Sequence, residues 1–484
     1  MRDILTGYDE KQLKLLEYLS DRGWVPFDEL TIEIGGTKKS IRGNIKEING
    51  YLKPLKIEES LERGIYLSIP TSASIYSIYS KMLYRSREFQ MIELIFFDES
   101  FTLETLSEEL FISLSTLKRM IKRLNPILEK LNIQIATNPI KISGSETQIC
   151  NFMIHYFEEK YIDEKSPFSE TYQRTLREWI LMLSGKMQQN LNYPDLKKVE
   201  MWIMVNLIRV RNGNLGEPIN FQLPKEIKLA TDSYFLDKFY TVFGIAMNPS
   251  IVARLVYIFI NGNFAFTYEQ MLNIAAADPE KEKTVRQVEN LLTSLKEELN
   301  LPLVKRDTLV KDLFNVVYLQ YGIVYILFNK HKYFFKKVLK DNKKASSSIR
   351  GACEDAFADK KFDENKIYSI AYVLVTHWED MLSNLNRELP KIQIGLFFDT
   401  DLEYMDLLKK QLQYFFKDKV EIQIMNDLTF ASFRENTAHY DFVLTNIVNL
   451  DSNGVPIITL PIYPSLQDWE KINELYQKIC TNKF

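Results

Sequence analysis

The stretch that decides the fold is "LSEELFISLSTLKRMIKRLN", Leu106–Asn125. Two short helical runs flank a small polar break, and the second run carries Lys118, Arg119, Lys122 and Arg123. Leu114, Leu117, Ile121 and Leu124 recur at helical spacing and make one apolar face. Ser115, Thr116 and the four basic residues fall on the other side. From Ser113 to Lys130 there are five basic residues against one acid, in a chain whose net charge is −3. Taken alone, the stretch fits either a DNA-reading helix-turn-helix or two packed helices with a solvated basic face.

The flanks extend the pattern. "REFQMIELIFF" precedes it as a helix, and Thr102 stands where it can cap "LETLSEEL". "IQIATN" and "IKISGS" follow as two alternating strands around a turn at Asn138 and Pro139. The order is helix, helix, helix, strand, strand. The same order occurs earlier, in "EKQLKLLEYLSDR", "PFDELTIEIG", "TKKSIRGNIKEINGYL", "LKIEES" and "GIYLSIP". There Ile41, Ile45 and Ile48 form the apolar side. Lys38, Lys39, Arg42, Lys46 and Lys53 stand against the single acid Glu47. A basic third helix in both copies favours a tandem winged helix-turn-helix over a chance charge pattern. The candidate DNA contacts are Lys38, Lys39, Ser40, Arg42, Asn44 and Lys46 in the first unit. In the second they are Ser115, Thr116, Lys118, Arg119, Lys122 and Arg123.

With 484 residues the chain is too long for one core. Units at 1–70 and 71–163 precede two helical segments, 164–277 and 278–390. These echo each other through "YPDLKKVEMWIMVNLIRV" and "LPLVKRDTLVKDLFNVVYL". The last segment, 391–484, alternates strands ("IQIGLFF", "VEIQIM", "DFVLTNI", "PIITLPI") with helices, which argues for a small α/β domain with a mostly parallel sheet. The expected class is mainly α and multidomain. Three scattered cysteines and four histidines, with no CxxC or HExxH, argue against a disulfide framework, a metal site or a bound cofactor. The N-terminus is too charged for a signal peptide, and no apolar run reaches the roughly 20 residues of a membrane span. A cytoplasmic protein with reduced cysteines is expected.

This order, with the segment "FTLETLSEELFISLSTLKRMIKRLNPILEKLNIQI", resembles the Mga/AtxA-type virulence regulators of Gram-positive bacteria, and among them the enterococcal Mga-like global regulators. The resemblance implies a transcriptional regulator of many promoters that binds double-stranded DNA with limited sequence preference. It implies that the two helical segments are phosphotransferase-system regulation domains (PRDs), and that the last resembles enzyme IIB. It also implies a homodimer or higher homo-oligomer, and phosphorylation of histidines by the phosphocarrier protein. The chain departs from that pattern in two places. Trp202 and Phe314 stand where PRDs carry histidine, and no histidine lies between Ser166 and Ala276. His377, in "IYSIAYVLVTHWED", is the best remaining phosphorylation candidate, ahead of His331. The loop "FFDTDLEYM" after the first strand of the last domain has Asp399 and Asp401 where an active enzyme IIB has a cysteine, so no catalytic residue is expected. PRDs also serve RNA-binding antiterminators, the alternative reading. That class carries a β-rich N-terminal domain, where this chain has helices.

Overall fold

The structure is a computed structural model. It describes all residues except 163–165, 187–192, 217–232, 261–263, 266, 320–321, 340–341, 361, 388–390, 428 and 484. The domain boundaries read at 163/164 and 390/391, and the Asn-rich break before Tyr193, lie outside the described residues. The chain divides into two compact units. One comprises Met1–Phe264 with Tyr318–Lys330, the other Ala265–Val317 with His331–Phe484.

The first unit opens with α1 (Gly7–Ser20), α2 (Phe27–Glu33) and α3 (Lys38–Tyr51), then β1 (Lys56–Ser60) and β2 (Gly64–Ser68). A second set follows: α4 (Tyr76–Arg85), α5 (Arg87–Phe97), α6 (Leu103–Glu109), α7 (Leu114–Leu128), β3 (Ile133–Thr137), β4 (Ile140–Gly144) and α8 (Glu146–Lys160). The helices start where a hydroxyl can accept an orphan backbone N–H. Thr6, Thr37, Ser86, Thr102 and Ser113 each accept one at the head of α1, α3, α5, α6 and α7. The inward faces are apolar, as their spacing requires: Ile41, Ile45 and Ile48 on α3, and Leu117, Met120, Ile121, Leu124 and Leu128 on α7.

Both hairpins are antiparallel, with Ile57 opposite Leu67 and Ile135 opposite Ile142. Each is pressed against other backbone at a glycine with positive φ. A Cβ on Gly64 would stand 2.1 Å from the Val25 carbonyl oxygen, and one on Gly144 2.1 Å from that of Asn132. Only glycine tolerates both the contact and the conformation.

The helices α4 and α8 pack together and have no counterpart in the pattern read from the sequence. Beyond them lie α9 (Glu170–Lys186), α10 (Tyr193–Arg211), and helices Ser233–Phe243 and Pro249–Ile260. The segment Tyr318–Lys330 belongs to this unit. The Glu159 carboxylate on α8 accepts the backbone N–H groups of Ile326, Leu327 and Phe328 at 2.5, 2.8 and 3.2 Å.

In the second unit, helices Tyr268–Ala276, Pro279–Glu298, Lys343–Ala356 and Glu364–His377 precede a four-stranded sheet. Its strands are β5 (Ile392–Phe397), β6 (Val420–Ile424), β7 (Phe442–Thr445) and β8 (Ile457–Thr459), all parallel in the order β6-β5-β7-β8. Ile392, Ile394, Leu396, Phe442 and Leu444 meet Leu408 and Leu412 of helix Leu402–Phe416 and Ile472 of helix Leu466–Lys483. No helix among the described residues is long and apolar enough to cross a membrane.

Arg209 of α10 is completely buried. Its guanidinium donates to Glu99 at 2.7 Å, to Glu146 at 2.6 and 3.1 Å, and to the Ile142 carbonyl at 2.9 Å. Breaking a buried charge cluster by removing one partner leaves the others uncompensated. Arg209→Ala is therefore expected to lower unfolding stability by about 3–5 kcal/mol. Urea titration followed by circular dichroism checks this; a loss under about 1 kcal/mol would mean the cluster is not desolvated as drawn.

Candidate nucleic-acid interface

The helix pairs α2–α3 and α6–α7 share one construction. Each has a seven-residue helix, a four-residue connection and a long basic helix. Near the end of each basic helix an asparagine clamps the first strand of the hairpin. Asn49 donates to the Ile57 carbonyl at 2.8 Å and accepts from its N–H at 2.7 Å. Asn125 does the same with Ile135, at 3.1 and 2.9 Å. An amide presents one donor and one acceptor side by side, so it replaces a strand partner. Helix and wing are thereby held as one piece in both copies.

The two basic faces differ in electrostatics. On α3, Lys38 pairs with Asp28 at 2.6 Å, and Arg42 lies 3.4 Å from Glu59 with its guanidinium over the Phe27 ring. Ser40 is spent on the capping box with Thr37. Lys39 and Lys46 are exposed, and Asn44 is half-buried. On α7, Ser115, Lys118, Arg119 and Lys122 are exposed. No carboxylate pairs with Lys118, Arg119 or Lys122 among the described residues. The Ser113 hydroxyl gathers those of Ser115 and Thr116 at 2.9 and 2.8 Å, and Arg119 reaches Thr116 at 3.4 Å. The uncompensated charge is therefore concentrated on α7.

Arg123 departs from the expectation. Its guanidinium donates to the carbonyls of Asp3, Ile4 and Leu5 at 3.3, 3.0 and 3.1 Å and to Glu88 at 2.6 Å. Its donors face protein, so it is better read as a tie within the unit than as a phosphate contact. Its partners lie far away in sequence, and helical periodicity gives no sign of them.

One residue outside the expected set stands out. Phe111 follows the C-cap of α6 with φ of 54°, and 85% of it is exposed. Its N–H donates to Glu108 and that of Ile112 to Ser107, the double bond of a Schellman motif. The matching turn position before α3 is Gly35, with φ of 76°. A left-handed non-glycine residue costs roughly 1–2 kcal/mol, and an exposed ring recovers little by packing.

Two basic helices, each following a short helix across a four-residue connection and each clamped to a hairpin, define a mainly helical protein whose charged surface suits a polyanion. Residues 71–157 match the Mga helix-turn-helix domain. Along its length the chain is similar to a protein named as a trans-acting regulator in Streptococcus pneumoniae serotype 4, with 21% identity covering 93% of each chain. It is also similar to the capsule synthesis positive regulator AcpB of Bacillus anthracis, with 19% identity over 96% of this chain and 97% of that one. The anthrax toxin expression trans-acting positive regulator of the same organism is 24% identical over 149 residues, 30% of this chain and 31% of the other. The chain is accordingly similar to regulators of the Mga/AtxA type, with the Mga helix-turn-helix domain at residues 71–157.

His377 ends helix Glu364–His377, and its Nδ1 lies 2.8 Å from Asp312 Oδ2. Burial works against the Asp312 charge, but hydrogen bonds from His377 and Lys311 outweigh it and hold that carboxyl below its ordinary range. His331 Nδ1 is bound to the Ser369 hydroxyl at 2.9 Å, and its ring stacks on Tyr372. Phe314 is buried in the core. Asp399 and Asp401 are exposed, and Asp401 caps helix Leu402–Phe416. Among the described residues no cluster of three His, Cys, Asp or Glu could hold a metal ion.

Replacing Phe111 by glycine is expected to stabilise the protein by about 1 kcal/mol, because the left-handed strain disappears. A rise in thermal midpoint checks this, and an unchanged or lower midpoint would show that the ring is packed.

Proposed function

We propose that the protein is a DNA-binding global transcriptional regulator that contacts duplex DNA through tandem winged helix-turn-helix units. The supporting observation is the α7 face, where Lys118, Arg119 and Lys122 stand beside Ser115 and no carboxylate among the described residues pairs with them. Phosphates would supply that neutralisation, and hydroxyls at the helix start suit phosphate and base edges. The α3 lysine and arginine that are already paired would have to exchange a carboxylate for a phosphate, so α7 is the stronger contributor. Few side chains on either face can make a bidentate base contact, which favours recognition of DNA shape over strict sequence. The helix-helix-hairpin units placed directly before the PRD-like helices argue against the antiterminator reading.

Regulation would run through PRD-like helices and, among histidines, through His377. Asp312 fixes the Nδ1 side of the imidazole, leaving Nε2 as the nucleophilic lone pair on a side chain 43% exposed. The phosphocarrier protein of the sugar phosphotransferase system would be the donor. The enzyme IIB-like sheet would serve assembly into a dimer or larger oligomer in the cytoplasm. Phosphotransfer there is disfavoured, because Asp399 and Asp401 would repel phosphate. All three cysteines are buried, and burial pushes the Cys150 and Cys353 thiols up to about 11 and about 12.

Electrophoretic shifts with duplex DNA, duplex RNA and single strands test the central reading. Duplex DNA is expected to bind best, with affinity falling steeply with salt. Lys118→Glu combined with Arg119→Glu is expected to abolish the shift while circular dichroism stays unchanged. Retained DNA binding in that variant, or preference for RNA, would overturn the reading. Separately, incubation with the energised phosphocarrier should place acid-labile phosphate on His377, detected by mass spectrometry and lost in His377→Ala. No label at His377 would remove it as the regulatory site.

A further inference from the structure

We infer that the corner between α4 and α5 is a clamp that holds the two basic helices at one fixed mutual orientation, with Arg85 and Arg123 as its positioning residues; this rests on the DNA-binding reading for its functional consequence only.

The corner is the short chain reversal Arg85-Ser86-Arg87-Glu88. Ser86 ends α4, caps α5 and donates from its hydroxyl to Glu88 at 3.0 Å. Ser86 and Glu88 are both buried. Each basic helix reaches this corner through its tenth residue, Glu47 on α3 and Arg123 on α7. The charges are opposite, and so are their partners. Glu47 is paired by Arg85, and Arg123 pairs with Glu88. The same position in two similar helices thus carries opposite signs, each matched to a residue three apart on the same corner.

Further bonds lock both arms. Arg85 also pairs with Asp9 at 3.3 Å, donates to Gln12 on α1, and lies over the Tyr51 ring at the end of α3. The Tyr51 hydroxyl donates to Gln12 at 2.8 Å, and that of Tyr8 donates to Glu47. Arg123 binds the carbonyls of Asp3, Ile4 and Leu5, the segment that leads directly into α1. The second basic helix is thereby tied to the first helix of the first unit. The buried Glu88 carboxylate accepts from the Ser86 hydroxyl and pairs with Arg123, and removing the guanidinium would leave a buried carboxylate without its cation.

A fixed geometry matters when two linked contacts engage one ligand. The second contact is then governed by an effective concentration that falls as the linkage loosens. The clamp would raise affinity for duplexes long enough to reach both helices and leave shorter ones unaffected. Its residues would act without touching DNA.

The test uses the full chain with nitroxide labels at Glu33→Cys and Glu109→Cys, the matching last residues of α2 and α6, both exposed. The three native cysteines are buried and leave these sites to the label. Pulsed electron resonance should give one narrow distance in the parent. Arg85→Ala and Arg123→Lys, the latter keeping the charge, should each broaden it at least about twofold. Each should weaken binding to a long duplex by about tenfold, spare a duplex of about one helical turn, and leave the salt slope unchanged. Lys118→Ala, by contrast, should reduce that slope by about one. A distance distribution unchanged in both variants would overturn the clamp. So would an equal loss on long and short duplexes with a reduced slope for Arg123→Lys, which would mark a direct phosphate contact. If the parent binds no duplex at all, the DNA reading fails and the distance measurement alone decides the clamp.

Discussion

The buried guanidinium of Arg209 is the constraint around which the first unit is organised. A desolvated cation costs several kcal/mol unless its charge and its hydrogen-bond donors are met. Here they are met by groups from three places that matter for the interface. Glu99 lies just before the Thr102 cap of α6, Ile142 lies in the second wing strand, and Glu146 opens α8. Arg254 adds to the same carboxylate at 3.2 Å and reaches Asn206 on α10. The entrance to the helix-turn-helix and its wing are both referenced to α10. Because guanidinium geometry is a planar fork, a shift of α10 along its axis cannot keep all these bonds. Movement in the helical bundle and movement in the wing are consequently coupled.

The two helix-helix-hairpin copies show which features the architecture demands and which it leaves open. The asparagine clamp on the hairpin, the hydroxyl cap of the basic helix and the apolar stripe occur in both. These are the parts that fix helix to wing. The tenth helix residue reverses charge, and the turn glycine becomes Phe111. These parts face other elements or solvent. The basic faces have also diverged, since Lys38 and Arg42 of α3 have carboxylate partners and, among the described residues, Lys118, Arg119 and Lys122 of α7 have none. Exposed ion pairs contribute little to stability, so the Lys38–Asp28 pair has its main effect on the surface potential, which it lowers. A steering field would accordingly be strongest around α7.

Much of this could be read from the sequence, because the decisive signals are local. Apolar spacing located α3 and α7, alternation located both hairpins, and apolar runs located the strands of the parallel sheet. Missing from that reading were α4, α8 and the helix Phe430–Asn436. The segment 71–163, expected from its pattern to be one helix-helix-helix-strand-strand unit, also holds a leading and a trailing helix. Side-chain roles set by long-range partners were not legible at all. Arg123 has the same helical phase as a surface cation, and what occupies it sits up to 120 residues earlier in the chain. Asp312 was likewise hidden, since it lies 65 residues before His377, whose neighbours in sequence include Glu379 and Asp380. Glu379 is in fact drawn to Lys305 at 3.0 Å.

The chemistry available for sensing phosphate is correspondingly uneven. A thiol can carry phosphate only as a thiolate, and burial disfavours that charge at Cys150 and Cys353. The loop after β5 presents carboxylates, with the Asp399 N–H bound to the Asn446 side chain at 2.8 Å rather than open to an anion. An imidazole is different, because it needs no prior ionisation to act as a nucleophile. At His377 Nδ1 is already held by the Asp312 carboxylate at 2.8 Å, so in the neutral ring the lone pair would lie on Nε2. Phosphorylation there would bring a dianion next to Asp312, whose charge is sustained by His377 and Lys311 together. Repulsion between the phosphoryl group and that carboxylate would loosen the contact between helix Glu364–His377 and helix Arg306–Leu319. A single modification at a helix end could thus act on packing within the second unit without any catalytic group nearby.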